Sequence, residues 1–168
     1  MKSLEEWLTK NKITEIECVT PDQTGIARGK IMPTDKFIAE KGIRLPESVL
    51  LQTATGDYPD NEIYYDLLDP ADIDMELKPD PKAVFMVPWA AEPTAMIIHD
   101  CYNRQGSPIS LSPRNLLKHV MNLFAKEGLS AVVAPEVEFY LTQKMTDPDL
   151  PLQPPIGRSG RPEVGRKS

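Results

Sequence analysis

Two acids separated by one residue, Glu136 and Glu138, lie in the run Ala134-Pro135-Glu136-Val137-Glu138-Phe139-Tyr140-Leu141. On an extended strand side chains alternate between faces, so Glu136, Glu138 and Tyr140 share one face and Val137, Phe139 and Leu141 the other. With Val132 and Val133 just upstream, the apolar face predicts a strand over Leu129 to Leu141 that sits inside a sheet. Adjacent carboxylates there repel each other and lose hydration. A hard divalent cation such as Mg2+ or Mn2+ removes both penalties through oxygen ligation. A solvent-facing strand with alternating acids has the same spacing, so the pair alone leaves both readings open.

A second group of acids runs from Asp57 to Asp80: Asp57, Asp60, Glu62, Asp66, Asp69, Asp72, Asp74, Glu76 and Asp80, against the single base Lys78. It reads either as a solvated acidic loop or as a surface that raises the local concentration of a cationic substrate. His119 lies among polar positions of the long helix and His99 ends a strand, so both read as structural or solvent-facing, and Trp89 beside Pro88 reads as a packing residue. Cys18 and Cys101 form no CxxC pair, which predicts free, buried thiols in a reducing compartment.

The formal net charge of −6 argues against a basic nucleic-acid face, although Arg158, Arg161, Arg166 and Lys167 cluster in the tail. No apolar run approaches the ~20 residues that span a bilayer. The N-terminus, Met1-Lys2-Ser3-Leu4-Glu5-Glu6, has acid where a signal peptide carries an apolar core. A cytoplasmic protein is expected.

The elements that must position these residues follow from periodicity. Leu4 to Asn11 predicts a short amphipathic helix with Leu4, Trp7 and Leu8 on one face. Ile13 to Thr20 predicts a strand, Pro21 to Gly25 a turn, and Ile26 to Met32 a returning strand, which together make a hairpin. A helix around Thr34 to Glu40 ends at Gly42. Strands are expected at Ser48 to Thr53, Ala83 to Val87 and Ala95 to His99, with the acidic stretch mostly loop. Asn103 to Pro108 is the best domain boundary. Beyond it, Ser112 as N-cap, Pro113 at the first helical position and Leu111 stapled on Leu116 open a long helix. Its Leu116, Leu117, Val120, Met121 and Phe124 are expected to form a buried stripe, and Gly128 to end it. Thr146 to Ser168 reads as loop, so the chain looks truncated.

The strand around Glu136 resembles the Gly/Ala-x-Glu-x-Glu-Phe-aromatic-Leu strand that opens the metal-binding barrel of glutamine synthetases. Three other pieces agree in order. Asp22-x-x-Gly25-x-x-Arg28-Gly29-Lys30 resembles the family's N-terminal hairpin, Asp72-Ile73-Asp74-Met75-Glu76-Leu77-Lys78-Pro79-Asp80 its Ser-Asp-Met-x-Leu-x-Pro-Asp stretch, and Pro113-Arg114-Asn115-Leu116-Leu117 its helix start before the metal strand. The resemblance covers about residues 13 to 143.

It implies an α+β chain, with a β-grasp N-terminal domain over residues 1–103 and the truncated start of a catalytic domain over 104–168. It further implies an ATP-dependent ligase that joins the γ-carboxyl of glutamate to an amine through γ-glutamyl phosphate, with Mg2+ or Mn2+ as cofactor. Glu136 would bind the metal at the nucleotide phosphates and Glu138 the metal at the substrate glutamate. Family members form stacked homo-oligomeric rings that share active sites between subunits. The family's Asp-Gly-Ser-Ser latch, whose acid handles ammonium, is replaced by Thr53-Ala54-Thr55-Gly56-Asp57-Tyr58-Pro59-Asp60, so Asp57 and Asp60 are the candidates on the amine side. This change, with Pro154 to Pro162, is more similar to the γ-glutamylpolyamine synthetase branch, whose members use putrescine or related amines. Small-molecule substrates are implied, with no nucleic-acid or membrane partner, and the chain by itself is expected to be inactive. The competing reading is a non-catalytic β-grasp module that docks through an acidic face.

Overall fold

Leu4 and Leu8, one helical turn apart, are buried on helix α1 (Lys2–Lys10), with Trp7 packed beside them. The computed structural model describes residues 2–59, 66–67, 71–147 and 149–163. Residues Met1–Ser130 form one compact unit and Ala131–Ser168 a second.

In the first unit, β1 (Glu15–Pro21) turns back into β2 (Ala27–Pro33), with Glu15 opposite Pro33 and Pro21 opposite Ala27. The alternation in β1 is strict: Ile16, Cys18 and Thr20 are buried and their neighbours are not. Helix α2 (Thr34–Glu40) buries Phe37 and closes with Lys41, in the left-handed region at φ 58°, whose amide bonds the Phe37 carbonyl at 2.8 Å. Lys41, rather than Gly42, therefore supplies the cap. Gly42 is needed for a different reason, because a Cβ there would lie 2.4 Å from the Leu77 carbonyl oxygen.

Strand β3 (Ile43–Pro46) follows, then a 3-10 turn at Glu47–Leu51, β4 (Asp74–Met86) and β5 (Thr94–Tyr102). The sheet order is β2-β1-β5-β4-β3, with β1 parallel to β5 and the other pairs antiparallel. Leu4, Leu8 and Phe37 from the helices join Ile16, Leu45, Met75, Leu77 and Ile97 from the sheet in one core. Each such side chain contributes about 1.5–3 kcal/mol by leaving water. Cys18 and Cys101 are buried free thiols, as expected, and burial pushes Cys18 up to about 12.

Several expectations are corrected. Ser48 to Thr53 is not a strand. Ser48 and Leu50 are buried on the 3-10 turn, where the Glu47 amide bonds Ile73 O at 3.2 Å and the Ser48 amide bonds Asp72 Oδ1 at 3.3 Å. Among the described residues only the end of the acidic stretch is strand: β4 begins at Asp74 and accommodates Pro79 and Pro81 through a register shift between Pro79 and Val84. Trp89 does not pack, being 73% exposed. Asn103 to Pro108 forms a tight turn, in which Asn103 Oδ1 accepts the Gln105 and Ser107 amides.

That helix, α3 (Pro113–Lys126), starts at Ser112 and Pro113 as expected, but without a side-chain cap hydrogen bond. Its apolar stripe is not buried: Leu116, Leu117, Val120, Met121 and Phe124 are all exposed, and Leu111 packs on the core instead of stapling. Asn115 is the residue the helix buries.

In the second unit the expected strand at Leu129 to Leu141 is absent. Among the described residues nothing pairs with it, and Val132 and Tyr140 are 96% and 94% exposed. Extended backbone becomes a strand only with a neighbour for its amides and carbonyls. Downstream, Gln143 bonds Gln153 and Pro154, and Gly157 to Gly160 make a turn bridged from Ile156 to Pro162.

Candidate active site

Three places carry the candidate residues. The first is the hairpin turn. Asp22 is buried, and its Oδ1 accepts the Thr24 amide (2.9 Å), the Thr24 hydroxyl (2.7 Å) and the Ile26 amide (3.0 Å). Its Oδ2 accepts from Arg28 Nε at 2.7 Å, and Arg28 Nη2 goes on to donate to Thr53 O at 2.7 Å. Burial alone would raise the Asp22 carboxyl. The Arg28 guanidinium, the Thr24 hydroxyl and the two amides outweigh it and hold the group below its ordinary value. The motif from Asp22 to Lys30 is thus a brace: a buried carboxylate aims a guanidinium across to the loop after the 3-10 turn. Gly29 allows the close approach, since a Cβ there would meet Cys18 O at 1.9 Å.

The braced loop holds Asp57. The Thr53 amide bonds Asp57 O (2.8 Å), the Asp57 amide bonds Thr53 Oγ1 (3.1 Å) and Thr55 Oγ1 donates to Asp57 Oδ2 (2.8 Å), with Gly56 at φ 88°. The Asp57 side chain is exposed. An exposed carboxylate on a loop tied at both ends can accept hydrogen bonds from a cationic amine without reorganising the loop. Asp60, the other candidate, lies outside the described residues.

The second place joins α3 to the sheet. Arg114 Nη2 donates to Asp80 Oδ2 at 2.6 Å and its Nε to Asp100 Oδ1 at 2.9 Å, and Lys118 also pairs with Asp100. Asn115 Nδ2 donates to Cys101 O (2.6 Å) and Ile109 O (3.0 Å). The Asp80 carboxyl is held low, first by the Lys82 amide, against some burial, then by Arg114 and Lys118. Sequence reasoning named Arg114 only through a motif and missed its partners. The available signal was Asp100, a charge set between buried residues of an apolar strand.

His99, also on β5, is fully buried, with its Nδ1 bonded to Ile97 O at 2.8 Å and its ring edge-on to Phe37. Burial pushes it down to about 4, so it is neutral and structural. His119 is exposed on α3.

The third place is Glu136 and Glu138. Both are exposed and lie off any strand. The oxygen donors suit Mg2+ or Mn2+, yet among the described residues no group of three or more His, Cys, Asp or Glu side chains could hold a metal ion. Glu136 and Glu138 alone do not complete a metal site.

The family model for the glutamine synthetase catalytic domain matches residues 110–167, the stretch that includes both acids. A glutamate–isopropylamine ligase of Pseudomonas sp is 28% identical over 138 residues, covering 81% of this chain and 30% of the relative. The gamma-glutamylputrescine synthetase of Escherichia coli (strain K12) is 29% identical over 148 residues, covering 83% of this chain and 29% of the relative. A glutamine synthetase of Halobacterium salinarum is 28% identical over 144 residues, again 83% of this chain and 31% of the relative. The chain thus spans about 30% of the length of these relatives. A solved ADP complex of GmaS has a similar fold, with a TM-score of 0.59 at 22% identity over 76% of this chain and 26% of that one. In sequence this chain is similar to glutamine synthetase-type ligases, and its α+β fold is similar to that of the GmaS structure.

Proposed function

We propose that this chain is the opening part of an ATP-dependent ligase that couples the γ-carboxyl of glutamate to an amine. The observation that carries the reading is the Glu136/Glu138 pair inside the stretch matched to the catalytic-domain family. A glutamate γ-carboxylate oxygen attacks the γ-phosphorus of ATP and ADP leaves. The amine nitrogen then attacks the acyl carbon, phosphate leaves, and the nitrogen loses a proton. Glu136 and Glu138 are the ligands this chain would give to Mg2+ or Mn2+, the first on the nucleotide side and the second on the glutamate side. Such ions offset charge on the phosphoryl group in transfer. Two carboxylates do not hold a catalytic metal pair, so the 168-residue chain is inactive alone.

Asp57, braced through Arg28, takes the amine side, with Asp60 as its alternative. The amine is a polyamine of the putrescine class, in keeping with the acids at Asp57, Asp66, Asp72 and Asp74 and the altered latch. Residues 1–103 are assigned as a β-grasp domain, supported by the β1–β2 hairpin beside a parallel β1–β5 pair, and 104–168 as the start of the catalytic domain. The full-length enzyme is assigned as a cytoplasmic homo-oligomeric ring.

The test is ADP formation by the protein extended to its relatives' length, with glutamate plus putrescine, spermidine or ammonium. Putrescine or spermidine is expected to be the best amine. Ammonium as the best would refute the polyamine assignment, and turnover by the 168-residue chain alone would refute its inactivity.

A further inference from the structure

The chain as a whole is negative, with a formal charge of −6, but one cleft concentrates the opposite sign. It has a volume of about 580 Å3 and opens among β2, α2, β3 and β4. Met32, Ile43 and Leu77 line it and are buried, giving an apolar floor. The walls carry Lys30 from β2, Lys36 and Lys41 from α2 and its cap, Arg44 from β3 and Lys78 from β4.

Two carboxylates, Glu40 and Glu76, stand among these five cations, and neither is tightly engaged. Lys36 lies 3.7 Å from Glu40 and Arg44 lies 3.8 Å from Glu76, with all four side chains exposed. Exposed pairs at such distances are weak, so the cleft keeps an excess of positive charge. Three of the cations have a local anchor. Lys30 Nζ donates to the Arg44 carbonyl at 2.9 Å, Lys78 Nζ sits 4.4 Å over the Tyr102 ring, and Lys41 holds the left-handed cap.

We propose that this cleft binds a small multivalent oxyanion, phosphoryl or polycarboxylate. Like charges lining one cleft repel one another, and an anion among them relieves that repulsion while gaining charge-assisted hydrogen bonds. Arg44 offers a planar fork for a bidentate contact, and the lysines offer adjustable point charges. The volume matches that of small-ligand sites.

The test is an amide NMR titration of the 168-residue chain, with inorganic pyrophosphate in one arm and citrate in the other, at about 0.15 M chloride. Saturable shifts centred on Lys30, Lys41 to Arg44 and Leu77 to Lys78 are expected with at least one probe, and the tighter arm identifies the oxyanion class. The double variant Lys41→Gln, Arg44→Gln should weaken binding at least about tenfold, while Lys126→Gln on α3 leaves it unchanged. If the double variant fails to fold by circular dichroism, the shift map of the parent chain decides. Shifts confined to Arg158 and Arg161, no saturation with either probe, or equal affinity in a folded double variant would overturn the proposal.

Discussion

The Asp22 carboxylate is buried and receives four hydrogen bonds, so replacing it orphans both the Arg28 guanidinium and the turn amides. Asp22→Ala should cost about 3 kcal/mol in urea denaturation and speed amide exchange at Thr53 and Gly56, whose loop Arg28 holds. Unchanged exchange there would show that the loop does not need the brace. Because the folded Asp22 carboxyl is held low, the unfolded chain takes up its proton first as pH falls. Its contribution is present above the ordinary carboxylate range, about pH 4, and is lost below it. His99 acts in a higher window. Its folded value of about 4 lies below the ordinary ~6.5, so the unfolded state again protonates first. Stability is full above about pH 6.5 and falls toward pH 4 by up to ~1.4 kcal/mol per unit. Urea melts at pH 7 and pH 5 should show this slope in the parent chain and a flatter one in His99→Leu. Gly29→Ala is expected to cost about 2–3 kcal/mol, since its Cβ would collide with backbone rather than a movable side chain.

At the scale of elements, α3 is tethered by ion pairs and Asn115 rather than by an apolar stripe. Arg114→Ala should therefore speed amide exchange along α3 while leaving β1 protected, with a stability loss of about 2 kcal/mol. Equal effects on both would mean that Arg114 supports the sheet as a whole. Much of this layout was legible in the residues. Leu4 and Leu8 gave α1, the partial alternation of Ile16 and Cys18 gave β1, and Pro21 to Gly25 marked the turn. Strand β3 was missed because only Ile43 and Leu45 of its four residues point inward. β4 was hidden behind acids and prolines that a bulge accommodates. The braces at Arg28 and Arg114 could be seen only as motif letters, because their partners are brought close by sheet pairing and helix docking. Leu129 to Leu141 has a strand's alternation, yet an alternating pattern becomes a strand only when another backbone pairs with it.

For the whole molecule, the chain corresponds to about 30% of its ligase relatives. The exposed apolar residues of α3 and of Val132 to Leu141 are surface that water-exposed domains rarely keep. A binding module that docks through an acidic face has no use for Glu136 and Glu138 in particular, and this separates it from a ligase. ATP-dependent ADP formation with glutamate and putrescine, in the protein extended to its relatives' length, therefore tests the central claim when Glu136→Gln and Glu138→Gln are compared with the parent. Each substitution is predicted to lower turnover by on the order of 100-fold or more with the fold retained. Parent-level turnover in both variants would contradict a metal-ligand role for the pair.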